Sequence, residues 1–169
     1  ERKQITMQLD GKVAIITGSG RGIGRAYAQA VALAGAAVIV NDIDADLAHA
    51  TVTAIKEAGG RAEAVVAPIG SSEVADQLVE SAVKLFGRLD ILCTNAGILR
   101  DRVLWNMSDA DFDAVITTHL RGTFTCARAA VRRLREQKEG GCIVVVSSIA
   151  GQRGNFGQTN YAAAKAGIA

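Results

Sequence analysis

The chain has 169 residues, a formal net charge of +2, 49% apolar residues, eighteen glycines and one proline, Pro68. That is enough for one domain with a sizeable core, while so small a charge gives no argument for a nucleic-acid or membrane-surface partner. The glycines are too many for a helical bundle and too dispersed for a linker, the apolar runs are too short to span a bilayer, and three cysteines without CxxC spacing imply neither a disulfide framework nor a zinc site.

In chain order, residues 1–9 read as a leader or added segment ahead of a single domain over 10–169. KVAIIT (12–17) is a short β-branched run, read as a buried strand. Ile23, Tyr27, Ala30, Val31 and Ala34 follow at helical spacing, and Gly35 ends that helix. AAVIVN (36–41) is a second strand, followed by a helix over 45–58 that closes at Gly59-Gly60. AEAVVA (62–67) is a third strand and 72–86 a third helix, ended by Gly87; LDILCT (89–94) is a fourth strand. Ser108 and Asp111 have capping-box spacing and open a long helix to about residue 138. Its basic end (Arg132, Arg133, Arg135, Lys138) suits a helix C-terminus. CIVVVS (142–147) is a fifth strand, and the tail from 158 is helical in composition. Cys93 and Cys142 lie in apolar runs and read as core; the cysteine usage fits a reducing, cytoplasmic setting.

Continuous apolar strands alternating with helices predict an α/β domain of the doubly wound, Rossmann type, a parallel sheet with helices on both faces. Ligands of such folds bind beyond the carboxyl ends of the strands. The first strand runs there into TGSGRGIG, with Gly18, Gly22 and Gly24 between strand and helix. Glycine permits close backbone approach, and a helix start offers unpaired N–H groups to a pyrophosphate. Asp42 falls 24 residues after Gly18, at the end of the second strand. A carboxylate there accepts from ribose hydroxyls and repels a 2′-phosphate, favouring NAD over NADP, with Arg21 as the one basic group able to argue otherwise.

Tyr161 and Lys165 in NYAAAKAGIA lie one helical turn apart on one face. A phenol alone titrates too high for a good base at neutral pH, and a nearby ammonium favours its ionised form. Together with TNAG (94–97) and VSS (146–148), with Ser148 thirteen residues before Tyr161, these motifs resemble the short-chain dehydrogenase/reductase family from about Asp10 to Ala169. AGILRDR (96–102), HLRGTF (119–124) and GNFGQTNYAAAK (154–165) resemble more narrowly the 3-hydroxyacyl-CoA dehydrogenase domain of peroxisomal multifunctional enzymes and bacterial 3-oxoacyl reductases.

The resemblance implies an oxidoreductase moving a hydride between NAD(H) and a secondary alcohol or ketone, an acyl thioester being one candidate. Tyr161 would be the acid/base, Ser148 the partner of the substrate oxygen, and Lys165 the support of both phenol and ribose. His119 stands where the family commonly has an asparagine in a proton relay and is the fourth catalytic candidate. Cofactor contact is carried over to Gly18, Ser19, Arg21, Gly22, Ile23, Gly24, Asp42, Ile43, Asn95, Ala96, Gly97, Tyr161 and Lys165. Pro68 replaces an aspartate that often contacts adenine. The family continues beyond this chain's last helix, so the fold is expected to be C-terminally incomplete here; a homodimer or homotetramer is implied by resemblance alone. A nucleotide-binding regulatory or scaffolding protein on the same fold is the alternative.

Overall fold

The computed structural model describes residues 9–169, so the expected leader lies outside the described residues except for Leu9. Five strands, β1 (Val13–Thr17), β2 (Ala37–Asp42), β3 (Arg61–Val66), β4 (Ile91–Thr94) and β5 (Cys142–Val145), form one sheet in the order β3-β2-β1-β4-β5. All pairings are parallel; Ile15 of β1 lies opposite Ile39 of β2 and Leu92 of β4. The order reverses at β1, so a crevice opens between the ends of β1 and β4, where the chain runs outward in opposite directions.

β1 is buried along its whole length, as a central strand with helices on both faces must be. One core layer is built on Val13, Ile15, Ile39, Leu78 and Leu89 under α3 (Ser72–Phe86) and α5 (Gly122–Gln137). The other is built on Ile16, Val38, Val40, Val52 and Ile55 under α1 (Gly22–Leu33) and α2 (Ala45–Glu57). Burying one such Ile or Leu contributes roughly 1.5–3 kcal/mol.

The helical reading of α1 holds, while the reading of Cys142 as core is corrected. The inward face of α1 is Gly24, Ala28 and Ala32, whereas Ile23 and Tyr27 are 65% and 42% exposed. Small residues let α1 lie close to the sheet. Cys142 on β5 is exposed; Cys93 and Cys126 are buried, and burial pushes the Cys126 thiol up to about 11.

The expected long helix is interrupted. α4 (Asp109–Ile116) is capped by Ser108, whose Oγ accepts from the Asp111 N–H and donates to the Asp111 carboxylate. A π-turn over Thr117–Arg121 then precedes α5, and His119 sits inside it. Such turns add a residue to the helical repeat and re-aim side chains, frequently at functional sites. The short α6 (Ile149–Arg153) and α7 (Thr159–Ile168) complete the chain.

At the opposite end of the sheet, Asp90 ties β4 to β1. It accepts from the Val13 N–H, Lys12 and the Arg88 guanidinium. Burial pulls its pKa up, but Arg88, the Val13 N–H and Lys12 outweigh it and hold the carboxyl below its ordinary value. This fixes the sheet far from the crevice.

Candidate active site

The loop between β1 and α1 is held from inside. Ser19 is fully buried; its N–H donates to the Asn41 carbonyl at 2.9 Å and its hydroxyl to the Ile16 carbonyl at 2.7 Å. Its donors are therefore engaged in shaping the loop. The Gly20 N–H donates to Asp42 Oδ2 at 2.9 Å, and the Gly20 carbonyl accepts from buried Thr51 at 3.1 Å. Asp42, at the end of β2, so reaches the loop and also takes the Asp44 N–H with its other oxygen. A Cβ on Gly24 would lie 2.1 Å from the Gly18 carbonyl oxygen and 2.5 Å from Asn95 Nδ2, so only glycine fits. Arg21 caps α1 without a side-chain hydrogen bond, which leaves the first-turn N–H groups facing the crevice. Ile23 and Ile43, 65% and 69% exposed, flank the opening.

The end of β4 locks onto this loop. Thr17 Oγ1 accepts from the Asn95 and Ala96 N–H groups, both at 3.1 Å, and Asn95 Nδ2 donates to the Thr17 and Gly18 carbonyls. Gly97 then passes directly over His119: a Cβ there would stand 2.2 Å from the ring's Cε1.

His119 is buried at 4% exposure. Its Nε2 lies 3.0 Å from the Ile98 nitrogen and 2.8 Å from the Ile98 oxygen, while Nδ1 is buried with no partner among the described residues. A neutral imidazole can accept from the one group or donate to the other, and either tautomer leaves Nδ1 unpaired. Burial pushes its pKa below the ordinary value; the Ile98 bond opposes this and the Lys165 charge adds to it. The ring meets Tyr161 edge-on, with centroids 5.2 Å apart.

Ser148, Tyr161 and Lys165 gather where β5 ends. Ser148 caps α6, its oxygen accepting from the Ala150 N–H, which leaves its hydroxyl proton to donate. The neighbouring Ser147 instead donates to the Lys165 carbonyl at 2.8 Å, fastening α7 to the strand end. Lys165, 4% exposed, donates to the Val146 carbonyl and holds its ammonium 5.7 Å from the centroid of the Tyr161 ring. Burial lowers its pKa from the ordinary lysine value. Two of its three N–H donors remain beyond the Val146 bond.

Three positions that shape the site escape a reading of motifs. Thr17 and Thr51 are ordinary strand-end and helical threonines until the fold sets them against the loop. Asn160 is fully buried beside Tyr161 and bonded to three segments. A polar residue immediately before a catalytic candidate was the available signal. Pro68, exposed after β3, supplies no side-chain hydrogen bond, as its chemistry dictates. The open helix start, the clear space at Gly22 and the carboxylate closing β2 suit the pyrophosphate and ribose of a dinucleotide.

The sequence pattern of the family described as short chain dehydrogenase matches residues 12–169. A hydroxyacyl-CoA dehydrogenase of Mycobacterium tuberculosis is 48% identical over 96% of this chain and 55% of its own length. The peroxisomal multifunctional enzyme type 2 of Mus musculus is 45% identical over 96% of this chain and 23% of its own. A solved short chain dehydrogenase from Mycobacterium avium superposes with a TM-score of 0.90 at 45% identity, covering 94% of this chain and 60% of that one. The chain thus spans between about a quarter and three fifths of these relatives.

Proposed function

The chain belongs to the short-chain dehydrogenase family, and from that premise we propose that the whole protein oxidises a secondary alcohol or reduces the corresponding ketone, with NAD(H) as cofactor and a 3-hydroxyacyl or 3-oxoacyl thioester as the substrate class. The observation that carries this is buried Lys165, bonded to the Val146 carbonyl just past β5 with its ammonium 5.7 Å from the centroid of the Tyr161 ring, while Ser148 heads α6 from the same strand end.

The nicotinamide, when bound, supplies or takes the hydride. The chain's own groups manage the proton and the geometry. The Ser148 hydroxyl donates to the substrate oxygen and fixes its position. The Tyr161 phenol gives that oxygen a proton during reduction and takes one during oxidation. Lys165, one turn further along α7, presents positive charge to the phenol and its free N–H donors to ribose hydroxyls. Asp42 receives the adenosine ribose hydroxyls and disfavours a 2′-phosphate. Gly18, Gly22, Ile23 and Gly24, with Arg21 beside them, would hold the pyrophosphate, while Ile43, Asn95, Ala96 and Gly97 would form the wall along the nucleotide. The family's relation to acyl thioesters enters through the named relative, and no membrane partner is invoked; the described residues contain no helix long and apolar enough to cross one.

The test is steady-state turnover of the whole protein with NADH and NADPH across ketones and 3-oxoacyl-CoA thioesters, alongside Tyr161→Phe. That variant should lose about 10²–10⁴-fold in kcat, the range for a proton-transfer group, while binding NADH as the wild type does. Undiminished turnover in Tyr161→Phe would sink the assignment.

A further inference from the structure

Asn160 is a fully buried asparagine with both of its donor positions and one acceptor position in use. Its Nδ2 donates to the Arg100 carbonyl at 3.0 Å and to the Asp111 carbonyl at 3.2 Å, and its Oδ1 accepts from the Tyr161 N–H at 2.8 Å. The last bond answers a specific need. α7 begins at Thr159, its cap residue Gln158 makes no side-chain capping bond, and the first-turn N–H groups of a helix have no partner within it. Asn160 provides one from inside the turn.

Two further bonds join the same segments. The Arg102 N–H donates to the Gly157 carbonyl at 2.8 Å, and Gln158 Nε2 donates to the Asp101 carboxylate at 2.9 Å. At its near end, residue 98 of this loop is held by His119 Nε2. Residues 98–102 therefore form a strap that continues directly from the wall at Asn95–Gly97. Its near end is pinned by His119 and its middle, at Arg100, by Asn160, and both pinning residues also bear on Tyr161, one on its ring and one on its backbone.

The geometry points to Asn160 as a positioning residue for Tyr161: it registers the start of α7 against the strap, and so sets the phenol relative to the wall at Asn95–Gly97. This rests on the reading above, in which Tyr161 transfers the proton and the nucleotide lies along that wall. His119 is then the opposite pin of the same bracket, because its Nε2 is already committed to Ile98. Neither aspartate nor alanine fills the place of Asn160. Aspartate would set a carboxylate against two carbonyl oxygens, and alanine would leave both carbonyls and the helix N–H without partners.

The experiment compares Asn160→Ala and the exposed-pair variant Asp101→Ala/Gln158→Ala with wild type and Tyr161→Phe, in the whole protein. Thermal midpoint, NADH dissociation constant, kcat and the solvent deuterium isotope effect on kcat are measured for each. Asn160→Ala should lose about 10–100-fold in kcat, the scale set by a misplacement of roughly 1 Å. Its NADH dissociation constant should stay within about threefold of wild type, and its isotope effect should rise as proton transfer becomes limiting. The paired variant leaves no buried group unsatisfied; it should move kcat and the isotope effect the same way by a smaller factor. A folded Asn160→Ala with wild-type kcat and isotope effect, lowered only in thermal midpoint, overturns the proposal. If Asn160→Ala does not fold, an unchanged kcat and isotope effect in the paired variant overturn it instead. Tyr161→Phe separates the two levels: full activity there removes the functional reading and the proposal with it, whereas an inactive Tyr161→Phe beside a fully active Asn160→Ala removes the proposal alone.

Discussion

Gly97→Ala adds one methyl group at the most crowded point of the site. The new Cβ would stand 2.2 Å from His119 Cε1 and 3.0 Å from both ring nitrogens. Ordinary carbon contacts begin near 3.5 Å, so about 1.3 Å must be found by moving the ring or the strand end. The ring has little room: it is buried, bonded to Ile98 through Nε2 and edge-on to Tyr161. The strand end is no freer, since Asn95 and Ala96 are both bonded to Thr17. Overpacking of this kind costs about 1–3 kcal/mol, or roughly 2–12 °C in thermal midpoint for a domain of this size. Because the displaced ring borders Tyr161, kcat should fall by up to about 100-fold. The assay is a double-mutant cycle with His119→Ala, read by denaturant unfolding and turnover. Removing the ring makes room for the methyl, so the double variant should be more stable than the two single changes add up to, by about 1 kcal/mol or more. Simple additivity, or a Gly97→Ala enzyme with wild-type stability and turnover, would refute the reasoning.

Asp42→Ala deletes the acceptor of the Gly20 N–H as well as the proposed ribose partner; NAD affinity should drop about tenfold or more, and the NAD-to-NADP preference should shrink, both measured by fluorescence titration. His119 gives a pH signature with a definite sign. Its folded-state pKa lies below the ordinary value near 6.5, so below pH 6.5 the unfolded chain takes up a proton that the folded chain refuses. Its contribution to stability is thus full above pH 6.5 and is lost as pH falls through the folded value. Urea unfolding between pH 7.5 and 5 should show wild type losing more stability than His119→Gln; parallel curves for the two would contradict a buried neutral imidazole.

Much of the fold was legible because its signals are local. Val13–Thr17 and Ala37–Asp42 are short β-branched runs bounded by glycine or aspartate, and Ser108 caps α4 as its spacing promises, although the Asp111 carboxylate takes the Ser108 hydroxyl and not its backbone N–H. The motif residues likewise announced themselves by spacing. What stayed hidden depends on contacts between distant segments. The π-turn at Thr117–Arg121 is invisible in a helical pattern, because one extra residue per turn alters no residue type. The inward face of α1 is not marked by bulk. The close approach of helix and sheet demands Gly24, Ala28 and Ala32 inside, and leaves Ile23 and Tyr27 exposed.

The same distinction bears on His119. By position in the sequence it stood with the proton-handling residues, and its chemistry allowed that. Its surroundings place a different demand on it. One ring nitrogen is occupied by Ile98, the other has no partner among the described residues, burial and the Lys165 charge both discourage protonation, and the ring's bulk lies between Gly97 and Tyr161. A pin needs one strong bond and a tight fit, and His119 has both. The tight fit is why Gly97 must be glycine, and the bond to Ile98 holds the strap that Asn160 grips at Arg100.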